Sequence, residues 1–298
     1  MASDPVSVAV VRGGAIEAVH RVHAVAVDVR GTRLEAAGDA RLVTFFRSSA
    51  KPLQALPLVR ARPDLDRRAI AITCASHQAD DAQLDAVRSL LAQAPAREEE
   101  LECGPAGSPP SPINHNCSGK HAGMLALCRA RGWDSREYRL PEHPVQREML
   151  REVASATELP EEQILTAVDG CGVVTFALPL ERMALAFARL DTLEGGARAS
   201  AAMRAHPALV RGETAAETRM MRALAGWTAK GGAEGLLCAA SPEGLGLALK
   251  VEDGASRAVP PALAAFLAGL GYPLPGFASE PLLNSRKEVV GEIVSRPG

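Results

Sequence analysis

β-Branched apolar runs mark both ends of the chain, and helix-spaced apolar stripes fill its middle. Residues 6–11 form a short valine-rich run closed by the Gly13-Gly14 turn, and 15–28 and 42–46 read as further strands. Residues 236–240 and 245–251 flank Ser241-Pro242-Glu243-Gly244, a hairpin turn sequence, and 288–295 supplies one more strand. Between them, Leu84, Val87, Leu90 and Leu91 form a stripe behind the capping pair Asp80-Asp81. Val145, Met149 and Val153 form another behind Pro144, which suits a first helical turn. Leu180, Met183 and Phe187 repeat the spacing, as do Met220, Met221 and Leu224, and then Leu263, Phe266, Leu267 and Leu270. These stripes belong to packing. The pattern predicts an α+β fold whose mainly antiparallel sheet is built from strands within 6–46 and 236–295, with a mainly helical 48–235 carrying the active-site loops. One catalytic unit over 1–298 is expected. Residues 92–112, rich in Pro, Gly and Glu, are expected to run over the surface, with Glu98-Glu99-Glu100 as a solvated charge run.

Composition narrows the function classes. A chain of 298 residues with net charge −2 carries no implied basic face, and its 3 % aromatic content offers no base-stacking platform, so nucleic acid is not an expected partner. No apolar stretch approaches the length of a membrane helix, and Met1 to Pro5 shows no basic segment leading into an apolar run. Six cysteines without framework spacing read as reduced thiols, and a cytoplasmic setting is expected.

Two serine–lysine combinations carry candidate chemistry. Ser48-Ser49-Ala50-Lys51 has the Ser-x-x-Lys spacing of an activated serine nucleophile, and a helix beginning near Ser49 would put both side chains on one face. Such a lysine is a base only when neutral, which burial and a helix N-terminus both favour. The plainer alternative is a capping serine beside a surface lysine. Ser76, in Cys74-Ala75-Ser76-His77 beyond the strand-like run 69–73, is the second serine. Lys250, ending the hairpin's second strand, is its candidate partner, since an inward lysine there is costly unless used; the plainer alternative is an ordinary strand-end lysine.

A third group combines a thiol with an amine. Ser118 can cap a helix from Gly119 to Arg131 that ends at Gly132, which puts Cys117 just outside the first turn and Lys120 within it. A helix N-terminus stabilises a thiolate and disfavours an ammonium, and both effects favour metal ligation. Cys171, in the turn-like Asp169-Gly170-Cys171-Gly172, is the best third ligand. Two thiolates and a nitrogen suit zinc, with buried or oxidisable free thiols as the alternative. His77, His115 and His121 sit inside these motifs, whereas His20, His23, His143 and His206 read as structural or surface residues.

With Arg47-Ser48-Ser49-Ala50-Lys51-Pro52-Leu53-Gln54, Cys74-Ala75-Ser76-His77, Asn116-Cys117-Ser118-Gly119-Lys120-His121 and Asp169-Gly170-Cys171-Gly172 in this order, the chain resembles the zinc-containing rhizobial-type L-asparaginases. The resemblance implies a serine β-lactamase-like fold, hydrolysis of L-asparagine to aspartate and ammonia, and a homodimer. It implies catalytic pairs Ser48–Lys51 and Ser76–Lys250, and a zinc ion on Cys117, Lys120 and Cys171. Arg47, His121 and Asp169 are then the expected substrate-binding residues. The chain departs from the pattern at Val174, where a proline would be expected. Two alternatives stand beside it: a glutaminase or penicillin-recognising hydrolase using the same Ser-x-x-Lys chemistry, and a non-catalytic zinc- or thiol-sensing protein.

Overall fold

The computed structural model describes residues 3–296. In chain order it begins with strands β1 (Val6–Arg12), β2 (Ala15–Val27), β3 (Arg33–Ala37) and β4 (Val43–Phe45). Helices α1 (Lys51–Gln54), α2 (Leu56–Ala61), α3 (Arg67–Thr73), α4 (Asp81–Gln93), α5 (Ser118–Arg131) and α6 (Pro144–Thr157) follow. Next come β5 (Leu165–Val168), β6 (Val174–Pro179), α7 (Leu180–Ala188), α8 (Gly196–Ala205), α9 (Pro207–Arg211) and α10 (Ala216–Ala223). The remainder is β7 (Thr228–Gly231), β8 (Leu236–Ala240), β9 (Gly246–Val251), α11 (Val259–Gly269), β10 (Ser279–Leu283) and β11 (Val289–Arg296). The mixed composition agrees with the α+β expectation. Two compact units divide the chain: Met1–Thr44, Pro179–Ala188 and Gly231–Gly298 form one, and Phe45–Leu178 with Arg189–Lys230 form the other.

The first unit is built on an antiparallel sheet in the order β10-β11-β1-β2-β9-β8, with β3 also paired to β2. Both chain ends contribute to it, as the runs of β-branched residues require. Residues 22–27 of β2 are buried at every position rather than at alternate ones, so both faces of the sheet are covered there. Helix α7 packs on β2, β8 and β9. Its approach depends on Gly246, where a Cβ atom would lie 2.0 Å from the Ala184 carbonyl oxygen. Strand β3 escapes the sequence reading because Arg33-Leu34-Glu35 carries little β-branched character. His20 and His23 are structural, as expected: His20 Nδ1 is 2.6 Å from Asp253 Oδ2, and His23 Nε2 is 2.8 Å from Glu252 Oε1.

The second unit is mainly helical and holds most of the motif residues. Helix α4 starts with a capping box in which Asp80 accepts from the Gln83 amide and Gln83 reaches back. The run 69–73, expected as a strand, is helix α3. Its Asp66 N-cap accepts from the Ala69 amide at 2.8 Å, and residues 69–73 are all buried. A short apolar run does not by itself separate a buried helix from a buried strand, and here the cap decides. Helix α5 begins at Ser118 with Cys117 in the cap position, and Gly132 ends it in the left-handed conformation at φ 68°. Ser118 is therefore inside the helix, and its hydroxyl donates to the Ile113 carbonyl at 2.8 Å instead of capping.

The approach of α5 to α3 relies on two glycines one turn apart. A Cβ on Gly119 would sit 2.2 Å from the Ile72 carbonyl oxygen, and one on Gly123 would sit 2.4 Å from Thr73 Cγ2. With hydrogen atoms there, the N-terminus of α5 abuts the C-terminus of α3. The segment after α3 is then pinned by Ser76 N donating to Val210 O at 2.8 Å and His77 N donating to Asn116 O at 3.1 Å. Among the described residues, no helix is long and apolar enough to cross a membrane.

Candidate active site

Ser76 lies at the centre of a buried cluster within the second unit. Lys51, at the start of α1, is 1 % exposed, and its amine donates to Ala75 O, to Ser76 Oγ at 2.9 Å and to Cys117 Sγ at 3.3 Å. Lys230, fully buried in β7, donates to the same Ser76 Oγ at 3.0 Å. Two amines on one hydroxyl stand within roughly 6 Å of each other, where two positive charges repel by about 3 kcal/mol at an effective dielectric near 20. That repulsion, added to burial, favours a state in which at least one amine is neutral. Burial, helped by Lys51, brings Lys230 down from the ordinary lysine value to about 7 against the opposing pull of Glu217. Lys51 is likewise lowered, first by burial and further by Lys120, with the Cys117 and Cys171 sulfurs resisting.

This geometry corrects the expected pairing. The lysine that joins Lys51 at Ser76 is Lys230, whereas the Lys250 ammonium, in β9 of the other unit, donates to the Val251 carbonyl. Nor does Ser48 hydrogen-bond Lys51: the Lys51 side chain runs inward to Ser76. Ser48 sits on the half-buried 3-10 turn Arg47–Ala50, and its hydroxyl has no hydrogen-bond partner among the described residues. Ser49 instead is buried and donates to Lys230 O at 2.8 Å, which ties that turn to the second lysine's backbone.

Beside the amines lies the sulfur group. Cys117, Lys120 and Cys171 are all buried, Lys120 Nζ donates to Cys171 Sγ at 3.2 Å, and the two thiols hydrogen-bond each other. That bond, with Lys51 and Lys120 nearby, holds the Cys117 thiol well below its usual value, while the same bond and burial push Cys171 up. Burial disfavours charge on Lys120, but Cys171, Cys117 and Asp169 outweigh it and raise its pKa. Among the described residues no three His, Cys, Asp or Glu side chains gather for a metal, so a cation here needs the lysine amine as its third ligand. The donor set fits a soft-to-borderline divalent ion, provided the bound ion displaces the protons on Cys171 and Lys120.

The remaining motif residues surround this core. Arg47 adopts a left-handed backbone at φ 48°, a strained conformation for a residue with a side chain, and its Nε donates to Asp169 Oδ1 at 2.8 Å. Asp169 opens the loop between β5 and β6. Its amide donates to Val173 O and its carbonyl accepts from Gly172, whose φ of +84° makes the turn that presents Cys171. His121 is fully buried against Tyr138, whose hydroxyl accepts from the Glu102 amide at 2.8 Å and so donates its own proton to His121 Nδ1 at 2.7 Å. The His121 proton is then on Nε2, which has no partner among the described residues. Burial and Lys120 keep this imidazole neutral. His77 is neutral too, lowered to about 4 by burial and by Lys51, and its Nε2 donates to Ser118 Oγ at 2.7 Å.

Sequence reasoning missed Lys230, Glu217 and Tyr138. One signal was available: the chain has only five lysines (Lys51, Lys120, Lys230, Lys250 and Lys287) among 33 cationic residues, so a lysine in place of arginine is a marked choice at each of these positions. Lys230 also has a consequence for stability. Its amine is lowered from 10.5 to about 7 in the folded chain, so between those values the unfolded chain binds the extra proton and stability rises with pH. Thermal melts from pH 7 to 10.5 should show a smaller rise in Lys230→Met than in the wild type; equal slopes would contradict the lowered value.

Residues 8–295 match the family described as L-asparaginase II. No curated protein matches the chain. A solved structure described as the native form of Mglu is 13 % identical with a TM-score of 0.34; the match covers 78 % of this chain and 59 % of that one, so the chain spans under two thirds of its length. With the family match running over nearly all of the described residues, the chain belongs to the L-asparaginase II family of amidohydrolases.

Proposed function

We propose that this chain hydrolyses L-asparagine to aspartate and ammonia through a serine acyl-enzyme, as an enzyme of the zinc-containing rhizobial type with a serine β-lactamase-like fold. The observation that carries the reading is the convergence of Lys51 and Lys230 on Ser76 beside the Cys117, Lys120 and Cys171 group, in a member of this family. Ser48 is the accessible hydroxyl, three residues ahead of Lys51, and attacks the side-chain carboxamide carbon. Its proton passes to Lys51 as the oxygen–carbon bond forms, once that amine has given up a proton to the Ser76–Lys230 side and turned from Ser76 toward Ser48. Ser76 links Lys51 to Lys230, so the proton can be relayed and returned to the leaving nitrogen, which departs as ammonia. Water then attacks the ester, and the same amines take and return its proton. Backbone N–H groups of the Arg47–Ala50 turn are available to the oxyanion.

Arg47 and Asp169 form a dipole that matches the zwitterionic end of an amino acid, the guanidinium toward the carboxylate and the carboxylate toward the ammonium. The unpartnered His121 Nε2–H is a donor for a bound polar group. A zinc ion on Cys117, Lys120 and Cys171 would supply fixed positive charge that orients the substrate. A homodimer and a cytoplasmic setting belong to the same reading.

The test is a coupled ammonia assay on the purified chain with asparagine, glutamine and a β-lactam. Ammonia from asparagine in preference to glutamine supports the reading; release from neither amide ends it. For the metal, elemental analysis should find about one zinc per chain, and zinc added to stripped protein should release protons as the thiol and amine ligate. Cys117→Ser should lose both signals. Zinc retained at full stoichiometry in that variant would move the site elsewhere.

A further inference from the structure

Behind Lys230 stands a carboxylate that the proposed reaction does not use. Glu217, on α10, is 3 % exposed, and its Oε1 lies 3.5 Å from Lys230 Nζ and 3.9 Å from Arg211 Nη1. A buried carboxylate is costly, and pairing with a lysine and an arginine is the usual offset. Here the lysine also touches a reacting-site hydroxyl, so the carboxylate lies one residue removed from the chemistry. Its geometry is fixed from both sides. Helix α9 supplies Arg211, and the adjacent Val210 carbonyl holds the Ser76 amide at 2.8 Å.

We propose that Glu217 is a positioning residue for the reaction: its carboxylate holds the Lys230 amine on Ser76. The proposal rests on the reading of Lys230 as part of the catalytic machinery. The charged and titratable groups that bear on Lys230 include Lys51 from α1, Cys74 after α3, Cys117 before α5, Arg211 from α9 and Glu217 from α10. Of these, Lys51 and Arg211 oppose a proton on Lys230, whereas Glu217 is foremost among the groups that favour it. With the carboxylate in place, Lys230 can hold a proton near neutral pH and return it through Ser76. Without it, the amine stays empty and loses the partner that fixes its direction.

The experiment uses the purified full chain labelled with [ε-13C]lysine, whose five lysines give a countable spectrum; the Lys230 signal is identified by its loss in Lys230→Met. In Glu217→Gln the Lys230 titration midpoint should fall by roughly one pH unit or more, since an opposite charge at this range has been removed. The limb of the kcat–pH profile that reports Lys230 should fall with it, and kcat should drop at least tenfold while KM stays within about twofold. Arg211→Gln should move the midpoint upward, and Glu217→Asp should restore part of the wild-type profile. An unmoved midpoint, or a midpoint that moves while the kcat limb does not, overturns the proposal. If Glu217→Gln does not fold, the Arg211→Gln and Glu217→Asp results decide it in the same terms. Full activity in Lys230→Met would instead overturn the underlying reading, so the two failures are distinguishable.

Discussion

Replacing Ser48 with alanine is expected to reduce asparagine turnover by about four orders of magnitude, the scale on which a covalent nucleophile is missed. The site leaves few other hydroxyls for this role. Ser49 is buried and committed to the Lys230 carbonyl, and Ser76 is 4 % exposed beneath two amines, whereas Ser48 is half-buried and its hydroxyl has no hydrogen-bond partner among the described residues. The variant should fold normally, because the Ser48 hydroxyl holds nothing together. Ser76→Ala should fall less far in attack, yet should lose the bridge between the two lysines. Rapid-quench mass spectrometry with a slow amide substrate separates the serines: an acyl adduct on the Ser48 peptide is expected. An adduct on Ser76, with near-normal turnover in Ser48→Ala, would transfer the nucleophile's role to Ser76.

The second large effect concerns the two strand lysines. Lys230→Met should lower kcat by about two to four orders of magnitude, the usual range for a proton-transfer group. Lys250→Met should leave turnover within a few-fold of normal. The contrast follows from the hydrogen bonds: Lys230 reaches Ser76 at 3.0 Å, while Lys250 donates to the Val251 carbonyl. Methionine keeps the length and apolar stem of lysine, so the comparison tests the amine rather than the packing. Parallel steady-state kinetics on the two variants decide it, and the reverse ranking would restore Lys250 to the role first expected of it.

Much of this architecture can be read from the chain before any coordinates. The valine-rich runs near both ends locate β1, β2 and β11, the two runs flanking Ser241-Pro242-Glu243-Gly244 locate β8 and β9, and the stripes behind Asp80 and Pro144 and from Leu180 locate α4, α6 and α7. What fails does so for identifiable reasons. Residues 69–73 alternate nothing, being buried on every side, so only the Asp66 cap reveals a helix. The helix start that carries Cys117 and Lys120 and the glycine turn that presents Cys171 are each visible as local sequence, but their meeting is a long-range contact that no local signal contains. The partner of Ser76 is a long-range fact. Choosing between Lys230 and Lys250 requires knowing which strand faces the hydroxyl, and neither spacing nor turn chemistry contains that. Glu217 is harder still, since a lone glutamate on a short helix looks like any solvated charge until its burial is known.

The near-confinement of lysine to the interior has a practical consequence. Lys51, Lys120, Lys230 and Lys250 are buried, and Lys287, between β10 and β11, is the exposed member of the set. An acylating label applied to the intact molecule therefore meets one side-chain target, far along the sequence from every motif residue. A tether or polymer attached there leaves the reaction centre chemically untouched, while the appearance of further labelled positions would serve as a clock for global opening.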